Sequence, residues 1–230
     1  MNALILCGGY GKRLGKITRK IPKPFLFVKN KPFVEYIIQD LINLKIPIIF
    51  LLCSYKSHFF FKNYHNKKIE KSKVICIKEP RSLGTGGAIS NIKKKLDSIF
   101  LVLNGDSYFN INLKKFINNG VNEECDAKIA LTLSKFYKFN KQLSSLILNG
   151  KKILFIKENG KFMNAGIYLI KKKSLNFIKK KNFSLEKDYL EKLIAKRKIQ
   201  GEFFKKKFID IGTIENLKKV RKKYNFYFKK

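Results

Sequence analysis

Tryptophan is absent from this 230-residue chain, and acidic residues are scarce: 16 Asp and Glu stand against 51 Lys and Arg. Long apolar runs are missing too. The longest covers residues 46–53, far short of the roughly 20 residues a membrane-spanning helix needs, so no membrane insertion is expected. No basic stretch precedes the first apolar residues, which argues against an export signal. Leu4-Ile5-Leu6-Cys7 has the look of a lipoprotein cleavage site, but only six residues precede Cys7, and the segment fits a first buried strand better. Cys7, Cys53, Cys76 and Cys125 lack metal or redox spacing. Three of them fall in predicted buried strands, where a thiol acts as a small apolar group. Reduced thiols and a cytoplasmic setting are the resulting default. No compositional break marks a linker, and no repeat is visible, so the length suits one domain, 1–230.

Apolar residues make up 45% of the chain, enough to build a core and to exclude disorder. The formal charge is +35. Arginine contributes little to it, through Arg13, Arg19, Arg81, Arg197 and Arg221 alone. Abundant lysine, asparagine, isoleucine and phenylalanine fit an AT-rich coding sequence that loads solvated surfaces with lysine. The alternative is a selected polyanion-binding surface. Either origin gives a field that draws in anionic substrates in a salt-dependent way.

Strands and helices alternate through the first half. Strands are predicted at 3–7, 48–53, 73–77 and 99–103, and helices at 33–44, 58–64 and 86–96. Phe33, Ile37, Leu41 and Leu44 form one stripe of the first helix. Such alternation predicts a mostly parallel sheet with helices on both faces and ligands beyond the carboxyl ends of the strands. The second half changes character. Strands are predicted at 126–133, 146–148, 152–156, 166–170 and 208–211, with Asn149-Gly150 as a hairpin turn. Helices are predicted at 184–196, with Ser184 as N-cap and Lys187 where a capping box would place Glu, and at 213–224. The basic, aromatic stretch 218–230 reads as a frayed helix end.

Two glycine-rich turns and two aspartates carry the chemistry. Gly8-Gly9-Tyr10-Gly11 follows the first strand, where glycine lets the backbone approach a ligand and aim N–H groups at phosphate. It is neither G-x-G-x-x-G nor a P-loop. Arg13 follows it, and Lys23 sits between Pro22 and Pro24, a stiff mount for a cation. The second turn, residues 79–88, follows the third strand, and its glycines suit a planar base. Asp106 ends the fourth strand in Asn104-Gly105-Asp106, and Asp210 ends a later one. Two carboxylates at strand ends suit a hard cation such as Mg²⁺, which takes its remaining oxygens from phosphate and water.

These residues resemble a known family. Leu6-Cys7-Gly8-Gly9, Gly11, Arg13-Leu14, Pro22-Lys23-Pro24, Leu83-Gly84-Thr85-Gly86-Gly87-Ala88, Leu103-Asn104-Gly105-Asp106, Asn164-Ala165-Gly166-Ile167-Tyr168 and Asp210-Ile211-Gly212-Thr213 are similar, in order, to the motifs of the short sugar-1-phosphate nucleotidylyltransferases. Residues 83–88, Ser184-Leu185-Glu186 and residues 208–213 look most like the bacterial heptose 1-phosphate guanylyltransferases within it.

The resemblance implies a Rossmann-like three-layer α/β/α fold with a mixed, mostly parallel sheet, divided into a nucleotide half, 1–112, and a sugar-phosphate half, 113–230. It implies an enzyme that joins an NTP to a sugar 1-phosphate and releases pyrophosphate, as a step toward surface polysaccharide. By motif, Arg13 holds the leaving phosphates, Lys23 neutralises the α-phosphate, and Asp106 and Asp210 hold Mg²⁺. Leu6, Gly8, Gly9 and Gly11 wrap the nucleotide, and Glu79, Gly84 and Thr85 lie near the base. Asn164 and Glu158 meet the sugar. No nucleic-acid partner is implied, and monomer and dimer both stay open. The chain departs from the family at Lys12, where threonine is usual, at Leu143-Ser144-Ser145, where Tyr-Gly is usual, and at Lys157-Glu158, whose charges are transposed. Other sugars and bases remain alternatives, as does a weakly catalytic polyanion-binding relative. A molybdenum-cofactor guanylyltransferase fits residues 83–88 and 164–166 poorly.

Overall fold

The computed structural model describes residues 1–80, 82–133, 146–155, 161–178 and 180–228. The chain forms two compact units interleaved in sequence. One takes Met1–Ser82, Val102–Asn110 and Lys207–Lys230; the other takes Leu83–Leu101 and Ile111–Lys206. The fold is α/β with a mixed sheet, as expected. Among the described residues no helix is long and apolar enough to cross a membrane.

In the first unit the strands Ala3–Leu6 and Ile48–Cys53 are continuous apolar runs, the pattern of strands covered on both faces. They pair in parallel, Ala3 opposite Ile49, and Ile48–Cys53 pairs in parallel with Ser72–Lys78. Lys68–Ile69 closes the edge antiparallel. Parallel pairing sends the loops after Leu6, Cys53 and Lys78 to one end of the sheet, where the first glycine turn and Glu79 lie. The helix Phe33–Asn43 buries Phe33, Ile37 and Leu41 as the stripe predicts.

Two features of this unit were not foreseen. Ser107–Phe109 forms a strand and pairs antiparallel with Phe208–Asp210, setting Asp210 opposite Ser107. Among the described residues the end of the chain is not frayed: Tyr224–Phe228 is a short helix. Its Phe228 ring lies 4.1 Å from Tyr36 and 4.5 Å from Tyr108. Aromatic burial outweighs the repulsion of neighbouring lysines there.

In the second unit Ala127–Leu133 pairs antiparallel with Phe162–Lys171 and parallel with Ile199–Phe203. The predicted hairpin forms, Asn149 opposite Lys152. Ser184 caps its helix as predicted: Lys187 N donates to Ser184 Oγ at 3.2 Å. The turn is widened, however, because Leu185–Leu190 is a π-helix. Asp188, one residue later than a capping box requires, therefore receives the Ser184 N–H at 2.7 Å. That resolves the misfit of Lys187 in the predicted box.

Lys128 is fully buried, its Nζ 3.0 Å from Glu202 Oε2, and it also donates to the Phe116 carbonyl. Burial pulls its ammonium below the usual lysine range, and Glu202 opposes that shift. Removing one partner of such a pair leaves an uncompensated interior charge, so Glu202→Ala is expected to destabilise the chain by about 3 kcal/mol. Lys128→Met, which removes the charge and keeps the volume, is expected to cost less. Urea unfolding of the two variants checks the order.

Candidate active site

The first strand ends at Leu6, whose carbonyl accepts from Gly105 N at 3.0 Å. The glycine turn follows. Gly11 stands at φ 65° and ψ 33°, in the left-handed region that only glycine enters without strain. A side chain there would also press on Thr18 Cγ2 at 2.8 Å. Thr18 Oγ1 donates to the carbonyls of Gly11 and Gly15, at 3.1 and 3.2 Å, and so ties both ends of the turn. Between them Lys12–Leu14 makes one 3₁₀ turn that buries Leu14 and leaves Arg13 exposed. Glu79 enters from the third strand of the unit, with its N–H on the Cys53 carbonyl. Its Oε1 lies 2.8 Å from where a Cβ on Gly8 would stand.

Lys23 opens a second 3₁₀ turn, Lys23–Phe25, with extended Pro22 ahead of it. Its side chain is only 9% exposed, and its ammonium pairs with Asp106 Oδ2. Burial works to raise the Asp106 carboxyl. Lys23, aided by Arg13, overrides it and holds the group below the ordinary carboxylate value.

The unpredicted two-stranded ladder brings Asp210 to this place, since Ile211 N donates to the Asp106 carbonyl at 2.9 Å. Asp210 is held from both sides, Oδ1 accepting from Gly212 N at 2.8 Å and Oδ2 from Asn216 Nδ2 at 3.2 Å. Gly212 sits at the focus. A Cβ built on it would stand 2.7 Å from Asp210 Oδ1, 2.8 Å from Arg13 Nη2 and 3.1 Å from Lys23 Nζ. Arg13, Lys23, Asp106 and Asp210, far apart in sequence, thus converge within one unit.

Two hard carboxylates beside two cations are a donor set suited to Mg²⁺ and phosphate oxygens. Among the described residues no group of three His, Cys, Asp or Glu gathers, which leaves two protein carboxylates rather than a full cage.

The second unit holds the other predicted residues. Gly84 and Thr85 begin the helix Gly84–Asn91. The glycines after them serve close packing: a Cβ on Gly86 would lie 2.2 Å from the Phe183 ring, and the Gly86 and Gly87 N–H groups both donate to the Phe183 carbonyl. Asn164 lies in Phe162–Lys171, just where the pairing register with Ala127–Leu133 shifts. Glu158, with Lys157, Ser144 and Ser145, lies outside the described residues.

One residue of this unit escaped prediction. Glu186 accepts from Thr85 Oγ1 at 3.1 Å, from Ser184 Oγ at 3.3 Å and from Tyr168 OH at 3.5 Å. Its only sequence signal is the Ser184-Leu185-Glu186 run.

Comparison with known proteins places this geometry in context. The nucleotidyl transferase family model matches residues 2–141. The D-glycero-alpha-D-manno-heptose 1-phosphate guanylyltransferase of Campylobacter jejuni is 35% identical over 223 residues, 94% of this chain and 96% of that protein. The enzyme of the same name from Aneurinibacillus thermoaerophilus is 30% identical over 237 residues, 99% of this chain and all of the relative. The crystal structure of HddC from Yersinia pseudotuberculosis complexed with GMP-PN superposes with a TM-score of 0.80 at 30% identity, covering 97% of this chain and 99% of that one. A crystal structure from Bacillus anthracis, of a protein in complex with a sucrose, reaches 0.85 at 18% identity, with 96% and 94% covered, a likeness of fold alone.

Proposed function

The chain belongs to the nucleotidyl transferase family, among the sugar-1-phosphate nucleotidylyltransferases, and on that footing we propose that it converts GTP and D-glycero-α-D-manno-heptose 1-phosphate to GDP-heptose and pyrophosphate. A phosphate oxygen of the sugar 1-phosphate attacks the α-phosphorus. The new P–O bond forms as the bond from the α-phosphorus to the β-bridging oxygen breaks, and pyrophosphate carries away the electron pair. No covalent enzyme intermediate is needed, so the work is positioning and charge neutralisation.

Lys23, nearly buried and paired with Asp106, meets the charge that builds at the α-phosphate. Arg13, on its 3₁₀ turn, binds the leaving β- and γ-phosphates with a planar fork of donors. Asp106 and Asp210 would hold Mg²⁺, which supplies further neutralisation of phosphate charge when bound. Leu6, Gly8, Gly9 and Gly11 line the nucleotide, with Gly84 and Thr85 toward the base. Asn164 donates to a sugar hydroxyl. Glu79 offers guanine two carboxylate oxygens for N1–H and the N2 amine, a donor pair that uracil and thymine lack. The names of the two relatives support both guanylyl transfer and the heptose. Burial of Cys7, Cys53, Cys76 and Cys125 as thiols fits a reducing cytoplasm, and the product fits a donor for surface polysaccharide.

The strongest support within the molecule is the focus at Gly212, where two cations and a carboxylate lie within 3.1 Å of one point. Pyrophosphate release over a panel of NTPs and sugar 1-phosphates tests the proposal. GTP with the heptose 1-phosphate is expected to give the highest kcat/KM; equal or better turnover with another pair would reassign the substrates. Glu79→Gln is expected to lower kcat/KM for GTP about tenfold or more, since it loses one charge-assisted hydrogen bond, and to narrow the preference over UTP.

A further inference from the structure

We infer that Glu186 and Tyr168 are positioning residues: one carboxylate fixes the hydrogen-bond polarity that orients Asn164 on one side and Thr85 on the other. This rests on the proposed role of Asn164 toward the sugar hydroxyls. The backbone N–H of Gly166 donates to Asn164 Oδ1 at 2.8 Å. That sets the amide, so Nδ2 must face Tyr168, to whose hydroxyl oxygen it donates at 2.8 Å. Tyr168 is fully buried. Its hydroxyl accepts from Asn164 and donates its own proton to Glu186 Oε1 at 3.5 Å. A carboxylate has no proton to give, so the chain can run in one direction only, from Asn164 through Tyr168 to Glu186.

The other oxygen works the same way. Thr85 Oγ1 donates to Glu186 Oε2 at 3.1 Å and accepts from Leu185 N at 2.8 Å. Ser184 Oγ donates to the same carboxylate oxygen at 3.3 Å while accepting from Lys187 N. Three hydroxyls therefore point at one carboxylate. The π-turn Leu185–Leu190 carries Glu186 in its first turn. π-turns are rare in proteins and recur at functional sites. With one Nδ2 hydrogen committed to Tyr168, Asn164 keeps its second, in a fixed direction, for a sugar hydroxyl.

Steady-state kinetics with D-glycero-α-D-manno-heptose 1-phosphate and GTP test this. Tyr168→Phe deletes only the relay hydroxyl. It is expected to raise KM for the sugar phosphate about tenfold, with KM for GTP and the melting temperature near wild type. Glu186→Ala is expected to give the same rise and to raise KM for GTP as well, through Thr85. Asn164→Ala serves as reference, and Tyr168→Phe added to it is expected to do no further harm, since Tyr168 acts through Asn164. A normal sugar KM in Tyr168→Phe beside a raised one in Asn164→Ala overturns the relay and leaves the sugar-binding role standing. A normal sugar KM in Asn164→Ala overturns both. Fully additive losses in the double variant also overturn the relay, because they assign Tyr168 a separate, structural effect.

Discussion

Asp106→Ala is expected to lower turnover about a thousandfold or more, as removal of a group acting on developing phosphate charge does, while the chain stays folded. Asp106 stands in a turn between two strands, and the backbone bonds that hold it there, from Gly105 N to the Leu6 carbonyl and from Ile211 N to the Asp106 carbonyl, do not use its side chain. What the variant removes is the partner of the Lys23 ammonium and one of two proposed oxygen ligands. The ion pair leaves a signature in acid. Because Lys23 and Arg13 depress the Asp106 carboxyl, the native state gains stability from it above the ordinary value of 3.8, and that gain fades as pH falls below it. The melting temperatures of wild type and Asp106→Asn should therefore draw together as pH is lowered through this range. Rates near wild type in Asp106→Ala would remove the carboxylate from the chemistry.

Gly212→Ala should produce the second large effect, a loss of about a hundredfold in kcat at almost no cost in stability. Its backbone is not in the left-handed region, so alanine is conformationally acceptable. The three atoms nearest the added carbon would be the tips of Asp210, Arg13 and Lys23, at 2.7 to 3.1 Å. Flexible side chains give way cheaply, which spares the fold. The same yielding moves two cations and a carboxylate off their common point, and transfer chemistry tolerates little displacement. Turnover and melting temperature, measured together, separate the two effects. A variant that melts early and keeps its rate would show that Gly212 serves packing instead.

Local patterns carried much of the architecture in advance. The runs at Ala3–Leu6 and Ile48–Cys53 and the stripe of Phe33–Asn43 are strong because burial and periodicity agree within a few residues. The candidate site residues stood out for a related reason: glycine turns and strand-end aspartates are local features. What failed to show was pairing at long range. Ser107–Phe109 is too short to declare itself as a strand until Phe208–Asp210 lies beside it. Ile199–Phe203 carries a glycine and two polar residues, and is held between Ala127–Leu133, its parallel partner, and Lys152–Phe155 on the other side. Lys128 breaks the apolar pattern of its strand and is buried regardless, since Glu202 and a carbonyl receive its charge. Gly86 suggested a strip for a base, whereas its missing side chain admits the ring of Phe183. Glu186 was present in the sequence as one letter of a run, and only the converging hydroxyls give it a role.

The interleaving of the units bears on when, during translation, catalysis first becomes available. A chain halted before Lys207 has already made its first glycine turn, Lys23 and Asp106. It lacks the strand that pairs with Ser107–Phe109, and with it Asp210 and Gly212. Such a nascent chain holds an unmatched strand edge and a half-built charge cluster, so incomplete products should be catalytically silent and prone to associate. Association of such chains is therefore expected to fall once the segment that carries Phe208–Asp210 has been made.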